Sequence, residues 1–268
     1  MANIRPPAVA DAFYPGNANK LRAMIARYLR EARAWGPPPK AIIAPHAGYL
    51  YSGPIAASAY APLTGTRGRI TRVVLLGPAH WVALSGLAAS SAEAFATPLG
   101  IVPIDQQAVT QALALPHVHL LDTAHRQEHC LEVHLPFLQE ILGKFRLVPL
   151  VVGDATTAEV GEVLDLLWGG AETLIVISSD LSHYHDYATA KQLDEAVSRA
   201  IEALCWDEIQ EEHACGRVPI KGLLAVARKR GLHAKTVDLR NSGDTAGPHD
   251  DVVGYGAYVF TDEEYVHN

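Results

Sequence analysis

From residue 19 onward, apolar side chains recur every three or four positions: Leu21, Met24, Ile25, Tyr28 and Leu29. That spacing predicts an amphipathic helix over 19–35, ended by Gly36-Pro37-Pro38-Pro39, because proline cannot continue a helix. The pattern then changes. Ala41-Ile42-Ile43-Ala44, Arg72 to Leu76, Leu147 to Val152 and Thr173 to Ile177 are short, continuous apolar runs, each ended by Pro, Gly or Ser. Such runs predict buried strands. Helices are predicted over about 156–168, 186–204 and 219–230, with a short one starting at Pro54. Val252 to Phe260 reads as a closing strand, and Pro98 to Ile104 as a hairpin at the sheet edge. Residues 105–145 give the least decided pattern. Buried strands alternating with helices predict an α/β fold: one domain over 1–268, with a mixed, mainly parallel central sheet and helices on both faces.

Composition narrows the function classes. With 49% hydrophobic and 19% charged residues among 268, the chain fits one large globular domain. Its net charge is −7, and Lys and Arg are scattered. Nothing would neutralise a run of phosphates, so no nucleic-acid role is expected. The start, Met1-Ala2-Asn3-Ile4-Arg5-Pro6-Pro7, lacks the apolar core of a secretory signal. No uncharged apolar run reaches the roughly 20 residues that span a bilayer. A soluble, cytoplasmic protein is expected. Cys130, Cys205 and Cys215 are an odd, sparse set, which suits free thiols in a reducing compartment.

Three apolar strands end alike: Ile42-Ile43-Ala44-Pro45-His46, Val74-Leu75-Leu76-Gly77-Pro78-Ala79-His80 and Val176-Ile177-Ser178-Ser179-Asp180-Leu181-Ser182-His183. In open α/β sheets, ligands bind beyond the carboxyl ends of the strands. Three histidines at three such ends would therefore converge on one crevice. A single strand-end histidine is more often a cap or core residue, and convergence is what favours His46 and His80 as ligands. Asp180 has two readings, as an N-cap of the next helix or as a chemical group. Tyr49, Tyr51 and Trp81 are equally readable as wall packing. His129 and His134 look like a metal pair, but on a helix they would stand about 140° apart. Glu132 lies near His129, and the two are placed together on or just behind the pocket wall.

Taken with Ala214-Cys215-Gly216-Arg217-Val218-Pro219-Ile220, these motifs closely resemble the Memo family, also called protein B of the AmmeMemoRadiSam system. The likeness runs from Ala12-Phe13-Tyr14-Pro15 to Gly254-Tyr255-Gly256-Ala257 and includes Glu128-His129 and Glu132-Val133-His134-Leu135-Pro136. It implies a fold like that of the class III extradiol dioxygenases, of LigB type. It also implies one mononuclear metal held by His46, His80 and Cys215, with Asp180 and His183 as pocket residues in catalytic roles. Phe13, Tyr49, His129 and Glu132 are then expected at the substrate. Microbial members resemble partners of a radical-SAM enzyme and an AMMECR1-like protein.

The chemistry of the residues agrees. Two neutral imidazoles and a thiolate leave coordination positions open, and the soft sulfur favours Fe(II) first, then Cu or Zn. His183 could exchange protons near pH 7. The expected activity is that of a metal-dependent oxidoreductase of dioxygenase type with a small substrate. The alternatives are a zinc-dependent hydrolase and a module that binds metal or peptide without catalysis. A thiolate in place of the dioxygenase carboxylate argues against ring opening.

Overall fold

A computed structural model describes residues 3–33 and 36–262. The chain runs β1 (Ile4–Arg5), α1 (Ala18–Glu31), β2 (Ala41–Ala44), α2 (Tyr49–Tyr60), β3 (Arg72–Pro78) and β4 (Leu87–Ala89). It continues through β5 (Ala94–Thr97), β6 (Gly100–Pro103), α3 (Gln106–Ala112), β7 (Val118–Leu120), α4 (Asp122–Arg126) and α5 (Leu135–Leu142). The remainder is β8 (Arg146–Val152), α6 (Thr157–Leu167), β9 (Thr173–Ser178), β10 (His183–His185), α7 (Tyr187–Glu202), α8 (Arg217–Arg230), β11 (His233–Asn241) and β12 (Val252–Thr261).

The main sheet has the order β10-β12-β2-β9-β3-β8-β4-β7, with β11 also paired to β12. Its centre, β2-β9-β3-β8, is parallel, whereas β12 on one side and β4 on the other run antiparallel to it. The sheet is therefore mixed, as the sequence predicts. Helices cover both faces, which is why β2, β9 and nearly all of β3 and β8 are buried without alternation. Local chemistry sets the helix ends. Asn17 caps α1, Thr156 and Glu159 form a capping box on α6, and Gly231 closes α8 in the left-handed region.

Three expectations need correcting. The first helix ends at Glu31, short of the proline cluster; residues 34 and 35, inside its expected span, lie outside the described residues. α2 begins at Tyr49 and carries Pro54 inside it. The bond lost at proline is offset by burial of nine of the helix's residues, from Tyr49 to Tyr60. The hairpin is formed by β5 and β6 with Pro98 and Leu99 in the turn, but it joins β1 in a separate three-stranded sheet rather than edging the main one.

Candidate metal centre

β2, β3 and β9 are parallel and in register at their carboxyl ends, with Ala44 opposite Ser178 and Leu76 opposite Ile177. His46, His80 and Asp180 each follow two residues after a strand end, so parallel pairing alone brings them to one edge. Cys215 arrives from the loop before α8. Its Sγ accepts a hydrogen bond from the Asp180 amide at 3.3 Å and lies 3.4 Å from His46 Nε2. One donor atom from each of His46, His80 and Cys215 falls within 4.8 Å of the others.

The donor set fits a transition metal. Metal bonds of about 2.05 Å to nitrogen and 2.3 Å to sulfur in a tetrahedron put a nitrogen and a sulfur ligand roughly 3.5 Å apart. The His46–Cys215 separation of 3.4 Å matches this. The tautomers fit as well. Ser178 Oγ donates its proton to the Cys130 carbonyl at 2.7 Å, so it accepts from His46 Nδ1–H, also at 2.7 Å. His80 Nδ1 donates to Glu128 Oε1 at 2.8 Å, and the His80 amide donates to Glu128 Oε2 at 2.7 Å. Both rings thus leave Nε2 as a bare lone pair, the form a metal needs.

Burial lowers the His46 pKa well below the imidazole range, helped by His80 and the other nearby histidines. Burial also acts on Glu128, but its hydrogen bonds from the His80 ring and amide and from the Cys130 amide outweigh it, holding the carboxyl at about 2. Burial pushes the Cys215 thiol up to about 12, with Asp180 adding to it, so a bound cation would be what ionises this sulfur. Asp180 is raised to about 7, by burial first and against the His46 amide that donates to its Oδ1 at 2.8 Å. α7 is capped by Asp186, which leaves Asp180 facing His46 and Cys215 and disposes of the capping reading.

The other expected residues divide. His129 stacks on His80 at 4.7 Å between ring centres and lies 5.4 Å from His46. The Phe13 ring is 4.8 Å from His129. His183 is half-buried on β10, its pKa lowered by burial and by His80, with a bond to the Leu181 carbonyl working the other way. Tyr49 is deeper: its hydroxyl donates to the Val133 carbonyl at 2.6 Å, and its ring packs on Tyr14 and Phe137. Burial and then His80 lower the His129 pKa; Glu132 is near enough to His129 to raise it in part, but its hydrogen bonds go elsewhere. Fully buried, it holds Arg5 at 2.6 Å, accepts the amides of Ala8 and Val9, and accepts the Tyr14 hydroxyl. Sequence reasoning missed Ser178 and Glu128 as the groups that fix the two imidazoles. The signal was thin: a serine inside a strand-end motif and a glutamate beside His129.

Residues 5–259 match the sequence profile of the family described as Memo-like protein. The chain belongs to the Memo family. A MEMO1 family protein from Aquifex aeolicus is 35% identical over 96% of this chain and 99% of its own length. One from Methanopyrus kandleri is 37% identical over 96% and 98%. Among solved structures, an uncharacterized protein of Escherichia coli K12 superposes with a TM-score of 0.51 at 15% identity. It covers 82% of this chain and 98% of its own, a likeness of fold alone. The family resemblance drawn from the sequence motifs is therefore correct, and the α/β architecture with it. No helix among the described residues is long and apolar enough to cross a membrane.

Proposed function

We propose that this Memo-family protein binds one mononuclear transition metal through His46, His80 and Cys215, and that the centre works as a non-haem, dioxygenase-like oxidoreductase on a small substrate. The observation that carries the reading is the convergence of three ligand atoms from three separate elements, with both imidazoles fixed in the ligating tautomer. Iron(II) is the first choice, with copper or zinc as alternatives. When bound, such an ion supplies Lewis acidity and, for iron or copper, redox capacity at open positions.

The protein's own groups supply the rest. Asp180 holds the His46 backbone by accepting its amide at Oδ1 and, with a pKa about 7, can hold a proton at Oδ2. His183, half-buried on β10 with its pKa lowered chiefly by burial, exchanges protons with a substrate. Phe13 and His129 close one side with ring surface. Protein purified without oxygen should contain close to one iron per chain and consume O₂ with a substrate drawn from a small-molecule screen. Zinc as the bound metal with no O₂ uptake would favour the hydrolase. A second reading has its own support: Leu50, Tyr51, Trp81 and Tyr184 are exposed large side chains next to site segments, at 60%, 39%, 63% and 76%. Such a rim suits a module that docks a peptide or partner protein, including radical-SAM or AMMECR1-like partners, without turning it over.

A further inference from the structure

A cleft of about 370 Å³ opens beside the candidate metal centre between the loop after β3, the end of β8 and the start of α8. This volume is in the range of small-ligand sites. Most of the side chains that line it are apolar, Val82, Leu84, Val152 and Val218 among them, although close to half of its exposed surface is polar; Cys215 is part of the lining. Among the described residues, Arg217 is the one cationic side chain on it and Asp154 the one acidic side chain. Arg217 belongs to the Cys-Gly-Arg motif, yet neither metal binding nor proton transfer uses it. Within the described residues its ion pair is with Glu211 Oε1, at 3.1 Å, and Glu211 is 81% exposed. A pair with so wet a partner is weakly held and readily exchanged.

We propose that this cleft binds a small monocarboxylic acid, seated on the Arg217 guanidinium in place of Glu211, with its apolar body along Val82, Leu84 and Val152. A planar, permanently charged fork matches a carboxylate in two parallel hydrogen bonds. Apolar walls favour a hydrocarbon or aromatic body, and Asp154 disfavours a second carboxylate. Glu211 then acts as a tethered competitor that shields Arg217 when no ligand is present. The inference goes beyond the oxidoreductase reading: the cleft shares Cys215 with the candidate centre, but none of His46, His80 and His183 lines it, so it is a separate ligand site. Occupancy of the cleft does not itself require a metal.

The probe is benzoate, with benzamide as its uncharged match, titrated calorimetrically into zinc-loaded and chelator-treated full-length protein. Benzoate should bind both forms, and benzamide at least tenfold more weakly. Arg217→Met should weaken benzoate about tenfold, with Arg217→Lys in between, as expected for loss of a bidentate charged contact. Glu211→Gln should tighten it several-fold. Circular dichroism melting checks that each variant is folded. Equal benzoate affinity in wild type and Arg217→Met, or no benzoate binding by either form, would overturn the proposal. Benzoate binding that vanishes on chelation would place the carboxylate on the metal instead and also overturn it. Failure of the metal reading would appear separately, as wild-type zinc content in Cys215→Ala.

Discussion

A histidine ligates a metal through whichever ring nitrogen its neighbours leave bare, so the residue behind the ring matters as much as the ring. Ser178 and Glu128 occupy that place for His46 and His80. Ser178→Ala and Glu128→Ala should each weaken zinc about 10- to 100-fold without unfolding the protein, as loss of such orienting partners does. Competition with a chromogenic chelator measures this, and unchanged affinity in both variants would refute the tautomer assignment. Glu132 should behave in the opposite way. Glu132→Ala strands Arg5 in the interior and should cost about 3–5 kcal/mol in urea unfolding, while the folded fraction keeps its metal. At this scale the sequence was half legible. His46 and His80 could be found because a strand end is a recognisable place. Cys215 could not be found by position, since it sits in a loop before a helix and only the motif marked it. The sequence places Glu132 near His129, which it does influence electrostatically, but its hydrogen-bond partners Arg5 and Tyr14 could not be read because they are more than a hundred residues away.

Elements meet closely where glycines permit it, and two glycines separate site from scaffold. A Cβ at Gly216 would fall 2.6 Å from the Ser178 carbonyl oxygen and from the Ser179 side chain. A Cβ at Gly222 would fall 2.2 Å from Val160 Cγ1, between α8 and α6. Gly216→Ala should therefore shift Cys215 and lower metal affinity. Gly222→Ala should cost about 1–3 kcal/mol of stability through overpacking and leave metal content unchanged. Measuring zinc content and urea midpoints for both decides it, and the same change in both variants would dissolve the distinction. The buried strands were readable because burial on both faces leaves an unbroken apolar run. The segment from 105 to 145 was not. Its helices α3, α4 and α5 hold seven, five and eight residues and β7 holds three, too few turns for a period to show. Pro54 misled because proline usually marks a helix start, whereas here a buried face carries the helix past it.

At the scale of the whole molecule, a buried histidine contributes to the response to acid. His134 is fully buried, paired through Nδ1 with the Tyr60 hydroxyl at 2.8 Å, and burial lowers its pKa to about 3. An unfolded histidine titrates near 6.5. Between those values the unfolded chain takes up a proton that the folded chain refuses. The stability contribution is thus complete above about pH 6.5 and is lost as pH falls toward 3. His134→Phe should remove this dependence. Its stability relative to wild type should improve by about 1.4 kcal/mol for each pH unit below 6.5, read from urea unfolding at neutral and mildly acidic pH. An identical difference at both pH values would show that His134 does not carry it.

The sheet order also has a consequence for synthesis. β9 lies between β2 and β3, so the strands that carry His46 and His80 are not neighbours until β9 has been made and inserted, and Cys215 follows later still. A chain emerging from the ribosome therefore passes through most of its length with His46 and His80 not yet held together by β9 and with Cys215 not yet made. On the proposed metal reading, the site of His46, His80 and Cys215 can load only once folding is nearly complete. Ribosome-bound chains stopped before β9 should carry the same zinc with or without His46→Ala, and those extended well past α8 should lose zinc on that substitution.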